Sequence, residues 1–283
     1  MIITKIIGGL GNQMFQYAAG RRLAHKLDVE LKLDISAFDN YKLRAYGLSV
    51  FNIKEKFATA EEIEKLSGRK VGAIETVWSV IFNRPKTYFR NLQPWFDPRI
   101  LKLHDNIFLE GYWQSEKYFS DISEIIRQDF TIRAPQTGKN KELAQLIEQS
   151  NSVSLHIRRD DYLQKANKRF VNCDLHYYIN SLNYLTKELQ KPHFFVFSDD
   201  IPWAKDNLKG YPLTFVDINN ESTNHEDLRL MSQCKHHIIA NSSFSWWGAW
   251  LNPKKDKMVL APKKWFKNPL YNRDIIPTNW LKI

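Results

Sequence analysis

The sequence predicts an α/β protein made of two halves around a cleft, each a parallel sheet wound with helices. Three observations lead there. The chain opens as strand, glycine turn, helix and strand over residues 2–34. Its second half alternates strand and helix throughout. Its 283 residues suit two domains of about 150 residues each.

Residues 2–7 (IITKII) read as a short buried strand, and Gly8-Gly9-Leu10-Gly11 as the turn after it. Over 12–27, Met14, Phe15, Ala18, Ala19 and Leu23 recur at helical spacing. Val29 to Leu33 reads as a second strand that ends at Asp34. Units of this kind present ligand groups beyond the carboxyl ends of their strands. Thr59 with Glu62 three positions on announces a capped helix over 59–66. Residues 78–104 are irregular, aromatic and basic (Trp78, Phe82, Arg84, Tyr88, Phe89, Arg90, Trp95, Phe96, Arg99). A strand at 107–110 and a helix at 115–129 close the first half. Residues 131–141, with Pro135 and Gly138, read as a linker. Domains are therefore expected at 1–135 and 136–283, the last residues being free to pack back on the first. Strands are expected at 152–157, 193–197, 213–216, 236–240 and 257–261, and helices at 174–190, 201–208, 225–234 and 243–251.

Composition narrows the function classes. Apolar residues at 43% and charged residues at 25% exclude a disordered chain. No apolar run approaches the ~18 residues of a membrane span, and residues 1–7 are too short for a signal peptide. Two cysteines, Cys173 and Cys234, exclude a disulfide scaffold and suit a reducing cytoplasm. No Cys/His spacing suggests zinc. A net charge of +10 and a pI near 9.4 favour an anionic partner: phosphate, nucleic acid or an acidic membrane surface. The basic residues are spread along the whole chain without a nucleic-acid-binding signature, which argues against a polynucleotide.

Gly9-Leu10-Gly11 after a strand, with Asp34 ending the next, imitates a dinucleotide site. Met14 stands where the third glycine belongs, so the imitation is weak. The second half is richer. His156-Ile157-Arg158-Arg159-Asp160-Asp161-Tyr162 ends a predicted strand. Its arginines either clamp a diphosphate through paired charge-assisted bonds or form a salt network with the neighbouring aspartates. Asn241-Ser242-Ser243-Phe244-Ser245 precedes the last predicted helix, either as an anion site or as an ordinary serine cap. Asp227 opens another helix, where it could accept paired bonds from a guanine or simply serve a capping box. Ser198-Asp199-Asp200 could reach a ribose or cap the helix begun near Pro202. No Asp-x-Asp occurs in the chain, and the adjacent pairs Asp160-Asp161 and Asp199-Asp200 make a poor divalent-metal site.

Taken together, these residues resemble glycosyltransferase family 11, the α-1,2-fucosyltransferases, in their short bacterial form. The resemblance runs nearly end to end: GGLGNQMFQYAAG at 8–20, EGYWQSEKYF at 110–119, HIRRDDY at 156–162, FVFSDD at 195–200 and EDLRLMSQCKHHIIANSSFSWWGAWL at 226–251. It implies a GT-B fold of two Rossmann-like domains facing a cleft, the first on the acceptor side and the second holding the donor, GDP-L-fucose. It also implies transfer with inversion to a galactoside 2-hydroxyl, without a metal or other cofactor, the alternative being a glycosyltransferase of the same fold that uses another nucleotide sugar. On the same resemblance Arg158 holds the β-phosphate and assists departure of GDP. His156 and Asp227 contact guanosine, and Ser242, Ser243 and Phe244 form the phosphate-binding turn. Arg159 takes a phosphate or structural role. Asp161 is the first candidate base and Glu110 the second, and a mechanism with no dedicated base stays open. Asp160 replaces the glycine of many relatives and is expected to be exposed or paired with Arg159. On the acceptor side Asn12 could bond a sugar or donor phosphate, or cap its helix, and Gln13 is a weaker candidate. Tyr112, Trp113 and Gln114 could line the acceptor site, with packing expected for at least one. Trp246 and Trp247 are expected in the core. The expected partners are GDP-fucose and a galactose-containing or lipid-linked glycan, with no nucleic acid. The basic surface suits peripheral contact with anionic lipid.

Overall fold

The first strand, β1 (Ile2–Lys5), is almost wholly buried, as suits a central place in its sheet. The computed structural model describes residues 1–39, 44–69, 85–91, 93–159 and 170–283. The chain divides into two units, Met1–Arg133 and Ala134–Ile283.

In the first unit, β2 (Leu31–Asp34), β3 (Tyr88–Asn91) and β4 (Ile107–Gly111) join β1 in a parallel sheet of order β2-β1-β4-β3. Gly8, at φ 86°, turns the chain out of β1 in a conformation that side chains disfavour. Helix α1 (Leu10–Leu27) starts from Gly9 two residues earlier than its apolar spacing suggests, so Asn12 lies inside the first turn and is not the cap. Helix α2 (Ala60–Ser67) has the full capping box: Thr59 Oγ1 accepts from Glu62 N–H, and Glu62 Oε2 from Thr59 N–H at 2.9 Å.

Two expectations fail in this unit. The segment 115–129 is not one helix: short 3-10 turns at Glu116–Tyr118 and Ser120–Ile122 precede helix α3 (Ser123–Asp129). Phe119 is fully buried at a non-helical φ of −149°, and the Tyr118 hydroxyl is held by Asn91 at 2.9 Å and Asp97 N–H at 2.7 Å. These tertiary anchors override helical periodicity. The irregular stretch also contains β3, whose Arg90 lies in register with Glu110 of β4. Its Trp78, Phe82 and Arg84 lie outside the described residues.

The second unit holds six parallel strands in the order β10-β9-β8-β5-β6-β7. They are β5 (Asn151–Ile157), β6 (Pro192–Ser198), β7 (Leu213–Val216), β8 (His236–Ile238), β9 (Val259–Ala261) and β10 (Leu281–Lys282). The predicted linker ends in a helix, α4 (Gly138–Gln149). Pro135 and Gly138 mark the start of that helix, and its Leu143, Ala144 and Ile147 pack beneath Phe195 and Phe197. The last residues add β10 beside β9.

Alternation along the strands builds two cores. Val153, Leu155, Ile157, Phe194, Val196, Ile238 and Leu260 face helices α5 (Leu175–Glu188) and α6 (Ile201–Asn207). Phe195, Phe197 and Val216 face α4 and helix α7 (Asn224–Gln233). Helix α8 (Ser243–Leu251) packs on α7 and buries Trp246 and Trp247 completely, as expected of core residues.

Candidate functional site

The order of the second sheet locates its crevice. From β5 the chain winds through β6 to β7 at one edge, then returns to β8 on the other side of β5. Connections therefore leave β5 and β8 in opposite directions, and the space beyond their carboxyl ends is the switch point where such sheets bind ligands. His156 lies at the end of one of these strands, and the Asn241-Ser242 turn into α8 comes after the other. Their meeting is visible in the contact of the His156 and Phe244 rings, with centroids 5.9 Å apart.

His156 is buried, and its Nδ1 has no hydrogen-bond partner among the described residues. Burial, and then the neighbouring Arg158 charge, push its pKa down to about 3, so the ring is a neutral donor–acceptor at neutral pH. Ser242 is the N-cap residue of α8, but its side chain makes no capping bond. The ordinary-cap reading thus fails here, and the hydroxyl and first-turn N–H groups suit an anion. Asn241 is structural: its side-chain amide holds Val171 O and Trp265 O.

Both arginines pair with aspartates from the end of β6. Arg158 Nε lies 3.2 Å from Asp199 Oδ2, and Arg159 Nε lies 3.2 Å from Asp200 Oδ2. Arg159 also lies over Trp203, 4.0 Å from the ring centroid. A salt network thus holds both arginines, through Asp199 and Asp200. Asp160 and Asp161 lie outside the described residues. Asp200 also caps α6, with Oδ1 accepting from Trp203 N–H at 3.0 Å. The Trp203 shelf had no sequence signal beyond its place three residues after Asp200.

Asp227 lies in the first turn of α7, at the same carboxyl edge. It is in no capping box: α7 starts from Thr223 without a side-chain cap, and the box belongs to Asn220 and Thr223 of the preceding turn. Asn219 donates to Asp227 Oδ1 at 2.6 Å, a partner that sequence reasoning missed. Burial, reinforced by the charge of Glu226 and opposed by the Asn219 bond, raises the Asp227 pKa to about 6.

The family model described as Glycosyl transferase family 11 matches residues 1–283. The chain belongs to glycosyltransferase family 11. An alpha-1,2-colitosyltransferase of Escherichia coli is 35% identical over 100% of this chain and 99% of its own. The Escherichia coli O-antigen biosynthesis glycosyltransferase WbnK is 32% identical over 92% and 93%. The human galactoside alpha-(1,2)-fucosyltransferase 1 is 27% identical over 59% of this chain and 49% of its own. A mutant of Arabidopsis thaliana FUT1 in complex with GDP superimposes with a TM-score of 0.52, at 11% identity over 98% of this chain and 74% of that one. The fold is of the GT-B type, two α/β units, each with a parallel sheet.

The other candidate residues among those described lie in the first unit. Asn12 Oδ1 accepts from Gln114 Nε2 at 2.9 Å, so the first turn of α1 and the segment after β4 present a joined pair of amides. Gln13 is no ligand: its amide is spent on Gly8 O, Ala45 O and Gly47 N–H. Trp113 packs, fully buried and stacked on Phe89, while Tyr112 is 51% exposed. The dinucleotide imitation ends with Asp34, which is buried against Arg69 at 2.5 Å and Ser36. Glu110 is a poor proton acceptor. Burial raises its pKa, but Lys5, Tyr88 and Arg90 together outweigh that and lower it. Among the described residues no cluster of three or more His, Cys, Asp or Glu could hold a metal, and no helix is long and apolar enough to cross a membrane.

Proposed function

We propose that the protein transfers L-fucose from GDP-β-L-fucose to the 2-hydroxyl of a galactoside, with inversion and without a metal, in building a bacterial surface glycan such as an O-antigen. The supporting observation is the switch point between β5 and β8, where the ring of His156, at the end of β5, meets Phe244 in the first turn of α8. A departing GDP gains charge on its β-phosphate oxygen. Arg158 and the Ser242–Phe244 turn stabilise that charge more than they stabilise the bound donor. Asp227, ionised at neutral pH, accepts the paired N–H groups of guanine. The sugar carbon becomes oxocarbenium-like and the acceptor hydroxyl attacks the opposite face. Asp161 is the candidate base. A dissociative transition state asks little of it.

A second donor has a specific observation behind it: the full-length 35% identity to a colitosyltransferase. Colitose is L-fucose without its 3-hydroxyl. A pocket that hydrogen-bonds that hydroxyl rejects colitose by about 10⁴-fold, whereas an apolar pocket hardly discriminates. The deciding experiment is turnover of GDP-fucose and GDP-colitose with β-galactosides, in chelator, with product linkage by NMR. An α-1,2-fucosylated product with GDP-fucose preferred supports the first reading, and a preference for GDP-colitose supports the second. Activity lost in chelator and restored by Mg²⁺ or Mn²⁺ refutes the metal-free chemistry. Peripheral docking at the inner face of the bacterial membrane, in the cytoplasm, belongs to the same proposal. The absence of sedimentation with anionic vesicles at low salt would remove it.

A further inference from the structure

The two arginines at the end of β5 are held in different ways. β5 and β6 are paired with Ile157 opposite Ser198, so Arg158-Arg159 and Asp199-Asp200 leave the sheet side by side. Arg159 is committed on three sides. Its backbone N–H donates to Asp199 Oδ1 at 2.9 Å, its Nε to Asp200 Oδ2 at 3.2 Å, and its guanidinium rests over Trp203. Asp200 is itself fixed: its N–H donates to Ser198 Oγ at 2.9 Å and its Oδ1 caps α6. Asp199 spans both arginines, with one oxygen on the Arg159 backbone and the other 3.2 Å from Arg158 Nε.

A guanidinium is a rigid plane, so fixing the direction of Nε–H also fixes where both terminal nitrogens point. We infer that Asp199 is a positioning residue that aims Arg158, and that Arg159, latched by Asp200 and Trp203, is the strut that holds Asp199 in place. The inference rests on the proposed meeting of Arg158 with the donor diphosphate. On charge alone, a carboxylate beside that arginine opposes anion binding. Aiming and simple neutralisation therefore predict opposite results when the charge is removed.

The experiment compares Asp199→Asn and Asp199→Ala with the unmodified protein, using GDP calorimetry, thermal unfolding and donor turnover. Asparagine keeps an oxygen for the Arg159 N–H but loses the ion pair with Arg158. The expected result is a kcat lowered roughly tenfold to a hundredfold in both variants, with GDP affinity unchanged or tighter and Tm close to normal in Asp199→Asn. Tighter GDP binding with kcat unchanged in Asp199→Asn makes Asp199 a neutralising charge and overturns the inference. So does full rescue of kcat by asparagine relative to alanine, because only the backbone bond would then matter. If Asp199→Asn does not fold, Arg158→Lys serves. It keeps the charge but has no Nε–H to aim, and turnover equal to that of arginine overturns the inference. An unmodified protein that binds no GDP overturns the donor-site reading and this inference together. An unmodified protein that binds GDP and turns over, matched by Asp199→Asn, overturns this inference alone.

Discussion

Arg158 and Asp227 carry the sharpest expectations for single residues. Arg158→Ala removes the guanidinium proposed to meet the developing phosphate charge, and a loss of at least about 10²-fold in kcat is expected. It leaves the core untouched, so the thermal transition should stay within a few degrees. A folded variant with near-normal kcat would strip Arg158 of its role. Asp227 must be ionised to accept two guanine N–H groups, and its pKa is raised to about 6 by burial. GDP affinity should therefore be flat above pH 7 and weaken as pH falls through 6, by up to about tenfold per unit below that value. Asp227→Asn should bind GDP weakly without that dependence. Calorimetry at pH 7.5 and 5.5 checks both, and a wild-type affinity that does not change between them counts against the assignment. The placement of the candidate site was largely legible, because strand ends and helix starts mark the carboxyl edge of a wound sheet. The partners of the site residues were not. Asn219 meets Asp227, Asp199 meets Arg158, and Trp203 lies under Arg159 only through the turns after β7 and β6, whose paths periodicity does not fix.

Helices α7 and α8 show what the elements contribute. Both begin at the ligand edge, so their spacing sets the distance between Asp227 and the Ser242–Phe244 turn. Gly248 of α8 makes that spacing possible: a Cβ there would lie 2.9 Å from Met231 Cβ of α7, a distance real side chains do not tolerate. Alanine gains about 1 kcal/mol in helix propensity but forces the helices apart, an overpacking cost of about 1–3 kcal/mol. Gly248→Ala is expected to be no more stable than the parent in urea and to bind GDP more weakly. A stabilised variant with normal affinity would show that the contact relaxes freely. Legibility of elements obeyed the same division between local and distant causes. Most of the second-half strands and helices fell where apolar spacing placed them, and α2 where its capping box did. The misreadings arose where distant contacts decide: Phe119 and Tyr118 break the helix at 115–129, and Arg90 opposite Glu110 makes a strand of an irregular stretch. The linker hid α4 because Pro135 and Gly138 signal a boundary and not the type of element beyond it.

Across the whole protein, buried neutral histidines tie stability to pH. His237 is fully buried, its Nε2 accepting from Asn252 at 2.9 Å and its Nδ1 lying 2.8 Å from Ser154 Oγ. Asn252 can only donate from its nitrogen, so the ring proton sits on Nδ1 and Ser154 accepts it. Burial drives the pKa of His237 well below its ordinary value, and that of His156 to about 3. A free histidine titrates near 6.5 in the unfolded chain. Below that pH the unfolded chain binds protons that the folded one refuses, so stability present at pH 7 is lost as pH falls. Asp227 works the other way, because its raised pKa lets the folded state take up a proton first between about 6 and 4. Two histidines against one aspartate leave a net difference of about one proton, or about 1.4 kcal/mol per pH unit. His193, His225 and His236 shift in the same direction as the buried pair and can only steepen the loss. The urea midpoint should therefore be lower at pH 5 than at pH 7, and His156→Phe should flatten the fall by about one proton. Equal midpoints at the two pH values would mean that the buried rings are protonated in the folded state. The contact of His156 with Phe244 would then involve a charged ring.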